Sequence, residues 1–160
     1  MPIQTLSRLA DIDPARWDAL LVDNPQPFLR HAFLSALEDS GSVGGRTGWR
    51  PHHQVLSDAQ GDVIAALPLY GKTNSNGEYV FDWAWADACH RAGIDYYPKL
   101  LCAVPFSPVT GARLLGDRAA AGRLLDQLMA ELDAQGHSSL HVNFTEPDAD
   151  AVFYNRDGWL

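Results

Sequence analysis

The sequence is short of the features by which several protein classes are recognised. Its 160 residues include only two cysteines, Cys89 and Cys102, which lack metal-ligand spacing and are too few for a secreted disulfide framework. No apolar run approaches the length of a membrane span, and the N-terminus lacks a basic segment followed by an apolar one. These absences predict a cytoplasmic protein with buried thiols, no membrane span and no metal.

Positive charge is also scarce. Twelve Lys and Arg face twenty Asp and Glu, which gives a formal net charge of −8. Electrostatic binding to nucleic acid or to an anionic membrane needs clustered basic side chains, so both partners are disfavoured. A local basic pocket could still bind phosphate. Nucleophile-elbow, P-loop, zinc and dinucleotide-binding patterns are absent.

What is present is typical of one globular domain covering residues 1–160. The chain is 46% hydrophobic and 20% charged, without repeats or low-complexity tracts. At this length, folding hides roughly 70% of the surface of the unfolded chain, enough for a real core.

The hydrophobic period predicts an α/β (α+β) order of elements. A weak strand over 3–9 precedes a helix capped by Asp13 and a second helix closed by Ser40 and Gly41. Three extended stretches follow, namely "HQVLSD", "VIAALPLYG" with Pro68 at an edge or bulge, and "YVFDW", and then a short helix, "AWADACHRAG". The last predicted elements are a buried strand "KLLCAVPF", a long helix capped by Asp117 and stopped by Gly136, a strand "SSLHVNF" and a helix "EPDADAVFYNRDG".

This order resembles the acyl-CoA N-acyltransferase fold of the GNAT superfamily, a mixed central sheet flanked by helices, here apparently without its closing strands. The segments "PFLRHAFLSALEDSGSVGGRTGWRPHH", "GEYVFDWAWADA", "YYPKL" and "VPFSPVTGARLL" resemble the amino-terminal half of FemAB-like peptidoglycan biosynthesis or recognition proteins. The resemblance implies N-acyl or aminoacyl transfer to an amine-bearing acceptor. It also implies a tandem protein of which this chain is the first GNAT-like half, completed by a second domain or by a second copy of itself.

Residues 78–99, "EYVFDWAWADACHRAGIDYYPK", combine six aromatic residues with three aspartates. Aromatic faces suit sugar rings or apolar stems, and carboxylates suit amines, so this stretch predicts an acceptor-facing wall. Asp82 and Asp87 are the candidate catalytic bases that take a proton from the amine. The candidate substrate-binding residues here are Trp83, Trp85, Tyr96, Tyr97 and Lys99. The alternative is that the rings belong to the core, with Asp82 capping a turn and Asp87 solvated.

The resemblance places a donor, acetyl-CoA or another acyl-CoA, between Val104 and Arg118. The candidate cofactor-binding residues are Phe106, Thr110, Gly111 and Arg113, of which Thr110 and Gly111 could cradle a phosphate. The phosphate-loop pattern of the superfamily is absent, and Asp117 at the start of the helix would repel a pyrophosphate. The alternative is a turn with a structural arginine.

Two histidine patterns complete the candidates. His141 and Asn143 share one face of the "SSLHVNF" strand, which borders the acyl site in the resembled fold, so both are candidate substrate-binding residues; the alternative is a half-buried histidine bonded to its neighbours. His52 and His53 are adjacent and would point to opposite faces of a strand, which favours surface or edge positions over a shared metal.

Three hypotheses about function remain open at this point. The first is an acyl or aminoacyl transferase of the GNAT/FemAB type. The second is a non-catalytic module that recognises a small-molecule, peptide or cell-wall precursor acceptor, and the absent phosphate loop favours it. The third is a structural half that dimerises to replace a missing partner.

Overall fold

The protein is described by a computed structural model that covers residues 2–21, 25–132 and 134–146. Its strands are β1 (Ile3–Leu6), β2 (Trp49–Pro51), β3 (His53–Ser57), β4 (Val63–Leu67), β5 (Leu69–Lys72), β6 (Lys99–Cys102), β7 (Leu115–Gly116) and β8 (Leu140–Val142). Its α-helices are α1 (Pro14–Asp18), α2 (His31–Asp39), α3 (Trp83–Arg91) and α4 (Arg118–Glu131), with 3-10 turns at Leu9–Asp11, Ala19–Leu21 and Pro27–Leu29. The mixed α/β class predicted from the sequence is confirmed.

The strands form two four-stranded sheets, with orders β1-β3-β4-β7 and β2-β5-β6-β8. The chain passes from the first sheet to the second at Pro68, between β4 and β5. Proline has no backbone N–H for a ladder, so a break suits this position. One strand with an irregularity was predicted here, and the structure instead divides it between two sheets.

Part of the core lies between the sheets and α4, and a second part packs around Trp17, Leu29 and Leu34. One cluster packs Leu69, Leu100 and Cys102 against the apolar face of α4, which includes Leu124 and Leu128. β6 is buried along its whole length and pairs antiparallel with β5 and parallel with β8. The predicted central strand and the long helix that follows it are therefore confirmed, and together they fix the site described below.

The capping residues Asp13 and Asp117 correctly predicted the starts of two helices. Asp13 Oδ1 accepts from the backbone N–H of Ala15 at 2.9 Å, and Asp117 Oδ1 accepts from that of Ala120 at 2.7 Å. The "YVFDW" prediction is wrong, because α3 begins at Trp83 and no strand precedes it after β5. The predicted last helix, over residues 146–158, lies almost wholly outside the described residues.

Within the described ranges, no helix is both long and apolar enough to cross a membrane. The two cysteines differ: Cys102 is buried, as predicted, whereas Cys89 on α3 is only partly covered. The prediction of surface or edge histidines is wrong for His53, which is fully buried with its ring 5.0 Å from that of Tyr70.

Candidate functional site

Two lysines occupy directly opposed positions in the core of the second sheet. Lys72 at the end of β5 is the register partner of Lys99 at the start of β6, and both are 0% exposed. Two like charges buried side by side repel each other and lose their hydration, so they require carboxylates nearby. The segment that leads from β5 into α3 supplies Glu78 and Asp82, both buried.

The four side chains form what we call the buried charge cluster: Lys72, Glu78, Asp82 and Lys99. Lys99 Nζ donates to Asp82 Oδ2 at 2.5 Å and lies 2.9 Å from Glu78 Oε2. Lys72 Nζ lies 3.8 Å from Glu78 Oε1. The formal charges cancel, which is how a fold tolerates four ionisable groups at such depth.

Lys72 is also held by neutral groups. Lys72 Nζ donates to the carbonyl oxygen of Asn76 at 3.1 Å and lies 3.8 Å from the centroid of the Trp49 ring, a cation–π geometry. The indole N–H of Trp49 donates to the same carbonyl at 2.9 Å. Trp49 therefore fixes both the ammonium group and the backbone of the turn that follows β5.

Burial and charge separate the two carboxylates chemically. Burial alone would raise the pKa of Asp82, but hydrogen bonds from Lys99, Ser75 and Tyr96 outweigh it and lower that pKa to about 2. Burial raises the pKa of Glu78 in spite of both lysines. At neutral pH Asp82 is therefore a fixed anion and a poor proton acceptor, while Glu78 holds protons more readily than an ordinary glutamate.

The pKa of Lys72 is shifted as well. Burial lowers the pKa of Lys72 to about 8, against the attraction of Glu78. Both oxygens of Glu78 are buried and face the ammonium groups of Lys72 and Lys99 as ion pairs.

Two tyrosines and a histidine border the cluster. Tyr96 Oη donates to Asp82 Oδ2 at 2.6 Å, and the Tyr97 and Ser75 hydroxyls are hydrogen-bonded to each other. The His141 ring lies 6.1 Å from that of Tyr96, and its Nε2 lies 3.0 Å from the Ser139 hydroxyl. Burial, together with repulsion from Lys99, lowers the pKa of His141 to about 4, so this ring is neutral at physiological pH.

Next to the buried carboxylates, the chain exposes a row of rings that we call the aromatic ridge: Tyr79, Phe81, Trp83 and Trp85. Phe81, Trp83 and Trp85 are 72%, 61% and 71% exposed. No residue of α3 is buried, although this helix carries two of the rings. The alternative that these aromatics belong to the core is therefore wrong for Phe81, Trp83 and Trp85.

The backbone around the ridge is also unusual. Tyr79, Phe81 and Phe106 have positive φ values of 60°, 52° and 56°. Aromatic residues seldom adopt this left-handed conformation, and such positions concentrate at ligand-binding sites. Phe106 is itself partly exposed, and its ring lies 5.4 Å from that of Trp49.

The structure separates the two aspartates that the sequence places together. Asp82 joins the buried cluster, and its side chain makes no capping bond to α3. Asp87 is exposed on α3 and pairs with Arg91 one turn later, at 2.7 Å. That pair matches the alternative in which Asp87 is solvated, and Asp87 is not brought to Lys99 or Tyr96.

The residues predicted to bind the acyl donor form a structural turn. Arg113 is fully buried and donates to the carbonyl oxygens of Asn143, Ala112 and Val109, at 2.8, 3.1 and 2.5 Å. Its charge is therefore used inside the protein, a correction to its predicted phosphate-binding role. The Asn143 side chain is not engaged in the same way, because its Nδ2 is buried without a hydrogen-bond partner.

The neighbouring residues predicted to bind the acyl donor also make contacts within the protein. The Gly111 N–H donates to the carbonyl oxygen of Phe144, and a Cβ at Gly111 would come within 1.8 Å of the Gln26 side chain. Gln26 donates to the carbonyl oxygen of Thr110, whose own side chain is exposed. With Asp117 capping α4, the start of that helix already has an internal anion.

Sequence reasoning missed Lys72 and Glu78. Lys72 ends an apolar run, "VIAALPLYGK", at a position where a lysine normally turns to solvent, and Glu78 follows six residues later in what reads as a polar turn. The only available signal was that Tyr70 and Lys72 share one face of a strand, which indicates that Lys72 is buried if Tyr70 is.

The family model described as FemAB-like, peptidoglycan biosynthesis/recognition, matches residues 8–160. No curated protein and no solved structure matches the chain. Within the described residues, no group of three or more His, Cys, Asp or Glu side chains could hold a metal ion.

Proposed function

Because the chain belongs to the FemAB-like family of peptidoglycan biosynthesis or recognition proteins, we propose that it recognises a cell-wall precursor or peptide that carries an amine. The observation that carries this proposal is the exposed aromatic ridge next to the buried charge cluster. Rings suit the faces of sugars and the apolar stems of amino acids, and carboxylates suit an ammonium group.

The donor segment favours recognition over catalysis with a coenzyme. Arg113 is held by backbone carbonyls and Asp117 caps α4, so neither offers a site to a pyrophosphate. Tyr96 donates to Asp82 of the cluster, Lys99 belongs to the cluster, and the rings of Tyr97 and His141 lie beside Tyr96, so these side chains would support the acceptor surface from within.

Binding of a soluble muropeptide with a free side-chain amine tests this function. We expect saturable binding in calorimetry, at least tenfold weaker for Trp85→Ala. Ile94→Ala is the matched control, because Ile94 is also exposed near α3 but lies outside the ridge. The same muropeptide with its amine acetylated should bind more weakly. Absence of binding, or equal binding by Trp85→Ala, would contradict recognition through the ridge.

The second candidate function is acyl or aminoacyl transfer to that amine, with acetyl-CoA or another acyl-CoA as a possible donor. The observation in its favour is the pair formed by Glu78 and Lys72, whose pKa values are raised and lowered toward neutrality. An attacking amine must lose a proton, and Glu78 is better suited to accept it than Asp82. Transfer that is abolished by Glu78→Gln but retained by Asp87→Asn would support this candidate.

Binding of an acyl-CoA donor can be tested directly. A ligand present at 100 times its dissociation constant stabilises the folded state by about 2.7 kcal/mol. Unfolding in saturating acetyl-CoA should show such a gain if the chain holds a CoA donor. An unchanged midpoint would remove CoA from the mechanism and leave recognition, or transfer from another carrier.

We further propose a GNAT-like half-domain arrangement. The order of the described elements supports it, since β6, α4 and β8 follow one another as strand, helix and parallel strand. In the described residues β8 is the edge of its sheet, and a second GNAT-like domain or a second copy of this chain could pair there. Light scattering of this chain alone distinguishes a dimer from a monomer.

A further inference from the structure

A second concave feature lies beside the glycine-rich loop between α2 and β2. It is a cleft of about 450 Å³ whose lining includes Gly44, Gly45, Arg46 and Arg50. None of the four residues of the buried charge cluster lines it. It therefore needs an explanation separate from acceptor recognition, and the inference drawn from it does not depend on the proposed function.

The loop exposes bare backbone to this cleft. Gly44 and Gly45 have φ values of 100° and 55°, and a Cβ at either position would meet no atom within 4 Å. These glycines are thus required by the backbone conformation and not by tight packing. The N–H groups of Gly45 and Arg46 make no hydrogen bond among the described residues, unlike that of Gly44, which donates to Trp49. Successive free N–H groups in such a turn form an anion-binding concavity.

Two arginines beside the loop lack counter-charges. Arg46 and Arg50 are exposed and form no ion pair with any described carboxylate. By contrast, Arg8, Arg30 and Arg91 are each paired with an aspartate. In a chain with a net charge of −8, two unpaired guanidinium groups at one cleft are a local exception to the prevailing sign.

Glu38, the one carboxylate among the residues that line the cleft, is already engaged elsewhere. Glu38 lines the cleft, but its Oε2 accepts from the N–H of Leu9 at 2.9 Å and its Oε1 lies 3.0 Å from His53 Nε2. Both oxygens are thus directed toward other parts of the protein. Glu38 does not neutralise Arg46 or Arg50.

A smaller recess continues from the same arginines toward Gly71 and Thr73. A Cβ at Gly71 would lie 3.9 Å from both Arg50 and His137 Nε2, so the glycine leaves this floor open. The rings of His137 and His52 are 5.6 Å apart, and His137 Nδ1 and His52 Nε2 are buried without hydrogen-bond partners. Neither histidine lines the recess, so the polar groups that face it come from the loop, the two arginines and Thr73.

We propose that the glycine-rich loop, Arg46 and Arg50 bind the phosphate or diphosphate group of a small soluble ligand. Guanidinium groups donate to phosphate oxygens through two parallel N–H bonds, and free backbone N–H groups supply further donors. Two arginines match a multiply charged oxyanion better than a single carboxylate. The overall negative charge of the chain disfavours a phosphate presented on an anionic membrane.

Calorimetric titration with inorganic pyrophosphate, at fixed ionic strength, tests the site. We expect saturable binding that weakens at least tenfold in the double variant Arg46→Ala/Arg50→Ala. The matched control is the double variant Arg16→Ala/Arg91→Ala, which removes the same charge from exposed arginines that do not line the cleft. It should bind within twofold of the unmodified protein, and all three proteins should unfold at similar urea concentrations.

Four results would overturn the proposal. Absence of pyrophosphate binding at millimolar concentration would remove the site. Equal weakening by the control double variant would show that net charge, and not the cleft, governs affinity. Malonate binding as tightly as pyrophosphate, or binding confined to vesicles that contain phosphatidic acid, would assign the cleft to another class of ligand.

Discussion

Lys99 Nζ donates a 2.5 Å hydrogen bond to Asp82 Oδ2 in the interior of the protein, although the two residues are 17 positions apart. The bond joins the first residue of β6 to the N-cap position of α3. It thereby ties the base of the exposed aromatic ridge to the central strand of a sheet. A helix with no buried residue has little packing of its own, and this buried ion pair links its first turn to the core.

We predict that Lys99→Met destabilises the fold by about 3–5 kcal/mol, the range found when one partner of a buried ion pair is removed. The substitution leaves Asp82 and Glu78 as buried carboxylates, opposed only by Lys72. Urea unfolding monitored by tryptophan fluorescence measures the change.

A double-mutant cycle provides the control for that measurement. Adding Asp82→Asn to Lys99→Met removes the stranded charge, so the combined cost should be clearly smaller than the sum of the two single costs. Arg91→Ala, which breaks the exposed pair with Asp87, should cost only about 0.3–0.5 kcal/mol. A Lys99→Met cost no greater than that of Arg91→Ala would contradict the cluster as described.

For the aromatic ridge, in contrast to Lys99, we predict little effect on stability. Trp83→Ala and Trp85→Ala should each change the free energy of unfolding by less than about 0.5 kcal/mol, because substitutions at exposed sites away from the core have small effects. The same urea titration checks this, and Trp17→Ala is the contrasting variant, since that indole is fully buried. A loss above about 2 kcal/mol at Trp85 would mean that the ring packs against the protein.

Much of the fold is readable in the sequence, because its strongest signals are local. Asp117 and the leucines of α4 predict that helix, and the apolar run that begins after Lys99 predicts a central strand. The division at Pro68 was not predictable, since the pairing of β4 and β5 with different strands depends on residues far apart in the chain.

The candidate site was predictable only in part, and for the same reason. The composition of residues 78–99 identified Asp82, Tyr96 and Lys99, but nothing in it distinguished buried Asp82 from exposed Asp87. That difference arises because Asp82 meets Lys99 across 17 residues, whereas Asp87 meets Arg91 within one helical turn. Lys72 and Glu78 were missed because burial of a charge is a tertiary property.

Arg113 tests the structural interpretation of the predicted donor segment. We expect Arg113→Met to cost about 2–4 kcal/mol, because it leaves the carbonyl groups of Val109, Ala112 and Asn143 without their buried donor. Arg118→Met, at the exposed start of α4, is the control and should have a small effect. If Arg113→Met left stability intact yet abolished binding of acetyl-CoA, the donor role predicted from the sequence would regain its basis.

The pH dependence of stability should report His141. Its pKa is about 4 in the folded protein, against an ordinary value of 6.5, because burial and Lys99 disfavour the charged ring. Between these two values the unfolded chain binds more protons, so the contribution of His141 to stability is complete above pH 6.5 and is lost as the pH falls toward 4. His52 and His137, whose pKa values are also lowered, act in the same direction, whereas the raised pKa of Glu78 acts in the opposite one.

The comparison of His141→Gln with the unmodified protein isolates this one group, since the other titrating residues are common to both. The free energy of unfolding of His141→Gln, measured in urea at intervals from pH 7 to pH 4, should fall less steeply than that of the unmodified protein. Parallel curves would mean that His141 keeps its ordinary pKa and is open to water. Since Lys99 lowers the pKa of His141 and Asp82 raises it, a flatter curve would also show that His141 senses the charges of the cluster.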